Sequence, residues 1–63
     1  MTIKQTHELM TINESIFNQK TFTHLQYKEI KIMSDSINFF IDINNETRIK
    51  KEVISLNNYL TKV

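Results

Sequence analysis

The 63-residue chain contains no cysteine, glycine, proline, tryptophan or alanine. Without cysteine there is no disulfide and no thiolate metal site. Without glycine there is no phosphate-cradling loop, no dinucleotide fingerprint and no glycine-framed nucleophile elbow. A dominant charge is missing too. Eight Lys and Arg against seven Asp and Glu leave a formal charge of +1, and so mixed a surface projects no strong field towards nucleic acid or a membrane. The longest apolar run, Ile37 to Ile43, is interrupted by Asn38 and Asp42, which is too short and too polar to span a bilayer. Met1 to Glu8 has no apolar stretch and no small-residue cleavage site, so no signal peptide is expected there. These absences predict a soluble, cytoplasmic protein.

What is present is skewed. Isoleucine, asparagine, lysine and threonine are abundant. Ile, Asn, Lys, Phe and Tyr are spelled by AT-rich codons, whereas the missing Ala, Gly and Pro are spelled by GC-rich ones. This is the coding bias of a low-GC bacterium or of its phages and plasmids. The same bias inflates strand readings based on isoleucine content alone. One domain, residues 1–63, is all that this length supports. A chain so short buries only about 60% of its unfolded surface, so its core is thin, and oligomerisation is a standing route to extra burial.

The C-terminal segment reads most clearly. Ile49, Val53, Leu56, Leu60 and Val63 are spaced 4, 3, 4 and 3, one stripe of a helix over about 45–61. Asn45 or Asn44 supplies an N-cap, Glu46 suits the positive end of the dipole and Lys62 the negative end. Towards the N-terminus, Leu9, Ile12 and Ile16 predict a short helix over 6–17, capped by Thr6 or started later by a Thr11/Glu14 capping box. Asn18 to Thr23 reads as a polar connection, with Phe22, His24 and Leu25 leading into a strand.

Residues 27–43 satisfy two periods at once. Ile30 and Ile32 alternate with Lys31, and Ile37, Phe39, Ile41 and Ile43 alternate with Asn38, Phe40 and Asp42. That is a hairpin pattern, and a turn at Ser34-Asp35-Ser36 would pair Ile32 with Ile37 and Ile30 with Phe39. A helix is the rival, through Tyr27, Ile30, Met33, Ile37 and Phe40. Against it stand Ser34, Asp35 and Ser36, which compete with the helical backbone for hydrogen bonds. Against the hairpin stands the lack of glycine for a tight primed turn. The hairpin is favoured. The expected fold is therefore α+β, with an N-terminal helix, an antiparallel hairpin or small sheet over about 22–43, and the C-terminal helix. A three-helix all-α domain is the alternative.

No residue set announces chemistry. His7 and His24 lack further ligands at useful spacing, so no metal and no cofactor is expected. Serines and threonines are present without a triad, and Glu14, Asp35 and Asp42 read as solvated acids, so the chain is not expected to be an enzyme. Two binding readings remain. Tyr27, Met33 and Phe40, with Ile54 about 120° from the main stripe of the last helix, are candidates for a protein-binding or self-association surface. Lys31, Arg48, Lys50 and Lys51 are candidates for phosphate contacts. The three bases on the last helix spread over about 160° and are interrupted by Glu46 and Glu52, which favours an ordinary solvated face. The expected function is that of a small non-enzymatic interaction or regulatory protein, an inhibitor for example, acting on a protein partner or as a homodimer. A small nucleic-acid-binding regulator is the alternative.

Overall fold

A computed structural model describes residues 2–63 and contains three helices: α1 (Ile3–Gln19), α2 (His24–Asp42) and α3 (Glu46–Lys62). No strand occurs among the described residues. The α+β expectation, with its hairpin or small sheet over 22–43, is thus overturned, and the three-helix alternative is the fold.

The start and stop signals explain why. Thr23 caps α2: its hydroxyl accepts from the Gln26 backbone N–H at 3.2 Å, and the Gln26 side chain accepts from the Thr23 N–H at 2.8 Å. This is a complete capping box, satisfying two otherwise orphaned donors. Phe22, just before the cap, packs edge-on against Tyr27 in the first turn, with centroids 5.5 Å apart. That contact is a hydrophobic staple, and it fixes the entry angle of the chain. The helix then runs through Ser34-Asp35-Ser36, because Ile30, Met33 and Ile37 lie in the core on one face. Burying such side chains contributes ~1.5–3 kcal/mol each, which outweighs propensity costs of under ~1 kcal/mol per residue.

At its far end α2 closes with a Schellman motif. Asn44 adopts the left-handed conformation (φ 57), its N–H donates to the Ile41 carbonyl, and the Asn45 N–H donates to the Phe40 carbonyl at 2.9 Å. Asparagine takes the role that glycine usually fills, since its short side chain tolerates this region. The next asparagine opens α3: Asn45 Oδ1 accepts from the Arg48 N–H at 3.2 Å. The expected cap and the helix through the mid-forties to Leu60 are both present. Val53, Leu56 and Leu60 are buried, Ile49 packs against them, and Val63 is exposed.

Helix α1 begins earlier than expected. Thr2, not Thr6 or Thr11, is the cap, again through a capping box with Gln5. Thr6 lies inside the helix, buried, its hydroxyl donating back to the Thr2 carbonyl. The inner face of α1 carries Thr6 and Asn13, both buried, beside Leu9, Met10, Ile16 and Phe17. Ile12, which the apolar spacing assigned to the core, is half exposed.

Helix α3 is the spine. Both other helices pack on it, while no Cα of α1 comes within 8 Å of a Cα of α2. Helices in direct contact lie 8–10 Å apart axis to axis, so α1 and α2 are held apart like the arms of a shallow V. Buried polar groups set the α1–α3 register. Asn13 Nδ2 donates to the Val53 carbonyl at 3.2 Å and Asn13 Oδ1 accepts from Asn57 Nδ2 at 2.9 Å. Seven residues further along both helices, Lys20 Nζ donates to the Leu60 carbonyl at 2.7 Å, capping one of the last carbonyls of α3 from across the seam. On the other arm the Tyr59 hydroxyl donates to the Glu29 carboxylate, and the Arg48 guanidinium lies 5.0 Å from the centre of the Phe40 ring. Helix α2 therefore runs antiparallel to α3, and α1 runs parallel to it.

Candidate interaction surface

The V leaves a cleft between α1 and α2, about 580 Å³ in volume. Met10 and Phe17 form one wall, Tyr27, Ile30 and Ile37 the other, and Leu56 and Leu60 of α3 the floor. Its rim carries Glu14 on α1 and Lys31, Ser34 and Asn38 on α2. One end is closed by an aromatic cluster, in which Phe17 stacks on Phe22 at 5.8 Å and meets Tyr27 edge-on at 5.6 Å. Edge-to-face and offset pairs at this spacing are favourable and stiff. A second depression, about 180 Å³, lies towards the opposite end, where Ile3 and His7 of α1 approach Ile41 of α2 and Ile49 and Lys50 of α3. Met10 lines both.

The candidates singled out from the sequence scatter over this architecture. Tyr27 lines the cleft, 42% exposed. Met33 packs into the core on the α2–α3 side. Phe40 is half buried beneath Arg48 and edge-on to Phe39 at 5.4 Å. Ile54 is exposed on α3, rotated roughly 120° from Arg48 and thus away from Phe40. Tyr27, Met33, Phe40 and Ile54 do not form one patch. The shared surface is instead the cleft, where Tyr27 is joined by Met10, Phe17, Ile30 and Leu56. The sequence signal for it was the aromatic trio Phe17, Phe22 and Tyr27, which a strand reading of Phe22 to Leu25 concealed.

The basic candidates are dispersed as well. Lys31 is on the cleft rim, with Glu14 on the facing rim. Arg48 covers Phe40 and pairs with Glu52 at 3.7 Å. Lys50 lines the second depression beside Glu46, and Lys51 is exposed on the solvent face of α3. Arg48 and Lys50 therefore each sit beside an acid, and the four occupy different faces.

Among the described residues, no group of three or more His, Asp or Glu is placed to hold a metal ion. None of the helices is long and apolar enough to cross a membrane. The Tyr59 hydroxyl is pushed above its ordinary range by its hydrogen bond to Glu29, then by burial and by the carboxylate charge. Comparison with protein-family models, with curated proteins and with solved structures finds no match to this chain.

Proposed function

We propose that this is a small non-enzymatic interaction protein with a regulatory role, and that the α1–α2 cleft seats an amphipathic helix of a protein partner. The observation that carries the reading is the separation of the α1 and α2 backbones, no Cα of one lying within 8 Å of a Cα of the other, so that their side chains meet at the aromatic end and leave the rest of the slot open. Two helices bridged by a third leave a slot lined by apolar side chains, the geometry in which helix-in-groove recognition works. The volume holds several apolar side chains of the kind a helix presents at i, i+3 or i+4 and i+7. Glu14 and Lys31, of opposite sign on facing rims, would orient an incoming helix whose flanks carry the complementary charges. Self-association needs another face, because two concave clefts laid together cannot fill each other.

The test is selection from a display library of amphipathic helical peptides, followed by NMR mapping of the winners. Binders should shift the resonances of Met10, Phe17, Tyr27 and Leu56, and charge reversal at Lys31 should change the preferred peptide flank. A library that yields no binder, or binders that map only to the outer faces, would overturn the proposal.

A further inference from the structure

Among the described residues, the four most exposed large apolar side chains all belong to one line on α2 and its end: Leu25 at 72%, Ile32 at 59%, Phe39 at 58% and Ile43 at 53%. Leu25, Ile32 and Phe39 recur every seven residues, a spacing that drifts only about 20° per step around a helix. This stripe faces away from both the core and the cleft, since Ile30 and Ile37 are the buried residues of α2. We propose that it is a homodimer interface, in which α2 of a second copy packs antiparallel about a twofold axis at Ile32.

Two observations select this occupant. The spacing of Leu25, Ile32 and Phe39 is symmetric about Ile32, so the antiparallel pair sets Ile32 on its counterpart and Leu25 on Phe39 of the second copy, the self-complementarity that a twofold interface requires. The flanking charges agree. Lys28 and Asp35 are exposed and lie on the same side of the stripe, about 40° and 60° from Ile32. In antiparallel helices like flanks face each other, so each Lys28 meets an Asp35 of the other copy, twice by symmetry. A parallel pair would instead direct Lys28 towards Glu29, which already accepts from Tyr59 in its own chain. The one ion pair among the described residues is Arg48–Glu52, so Lys28 and Asp35 have no competing bridge. Two such stripes bury on the order of 1,000 Å² together, the low end of a specific interface, which corresponds to a reversible dimer.

Sedimentation equilibrium on the full chain tests this. The expected result is a monomer–dimer equilibrium, with Ile32→Glu weakening the dimer at least ~tenfold while the helical circular dichroism is unchanged, because Ile32 takes no part in the core. Leu25→Glu gives the same dissociation by an independent change. Lys28→Asp and Asp35→Lys should each weaken the dimer, and the double exchange should restore it. Ile32→Cys should form an intermolecular disulfide, whereas Leu25→Cys, some 20 Å from its symmetry mate along the helix, should not. A protein that stays monomeric at the highest concentration, a mass that grows past the dimer, an Ile32→Glu dimer of undiminished affinity, a double exchange without rescue, or a Leu25→Cys self-crosslink would each overturn the proposal.

Discussion

The α1–α3 seam and the α1–α2 seam share a helix but are built in opposite ways. The first is closed: Val53 is fully buried, Asn13 and Asn57 lock the register, and Lys20 reaches across to the Leu60 carbonyl. The second is open, its apolar walls separated and its floor supplied by α3. Stability is thus concentrated on the seams that α3 makes, and the open apolar surface lies on the one it does not. A chain with so little core can leave apolar surface open only because one helix serves both of its neighbours.

Emptying the buried face of α3, on which both other helices rest, should therefore cost most. Leu60→Ala is expected to destabilise by about 2–4 kcal/mol, a large share of what a domain of this size possesses, read as a drop in the urea midpoint. Asn13→Ala comes next, at about 1–2 kcal/mol, because it leaves the Asn57 amide without its partner in a half-buried place. Thr23→Ala removes the α2 cap and should cost about 1 kcal/mol, with lost amide protection confined first to the Gln26 end of α2. The smallest effect is on the α2–α3 side and depends on pH. The Tyr59 pKa is raised in the folded chain, so its contribution is complete below the ordinary tyrosine value near 10 and is lost as pH rises through the higher folded value. Ultraviolet titration should show Tyr59 ionising above the ordinary tyrosine range, and Tyr59→Phe should remove that late step together with the alkaline loss of stability.

The same contrast explains which parts were legible in the residues alone. Helix α3 has one apolar stripe, with Ile54 alone outside it, an asparagine cap and charges suited to its dipole, so the local signals agreed. Helix α2 is apolar on two faces. The core line of Ile30, Met33 and Ile37 and the outer line of Leu25, Ile32 and Phe39 interleave along the chain. That interleaving produces the alternation of a strand. The Thr23-to-Gln26 capping box was the deciding signal, and it precedes the ambiguous stretch rather than lying within it. Helix α1 misleads in the other direction, because Thr6 and Asn13 occupy inward positions that an apolar pattern passes over. The cleft itself depends on how far apart α1 and α2 are held, a tertiary distance that no spacing along the chain encodes. Its aromatic end, through Phe17, Phe22 and Tyr27, was within reach.

The division of labour between the seams is tested most directly by filling the cleft from its rim. Ser34 is half buried and lines the cleft without belonging to the core, so Ser34→Trp should place an indole where a partner helix would lie. Binding of a cleft-selected helical peptide should then fall at least ~tenfold while the thermal midpoint stays within about 4 °C of the parent, the equivalent of less than ~1 kcal/mol. Undiminished peptide affinity, or a loss of stability as deep as that of Leu60→Ala, would contradict that division of labour.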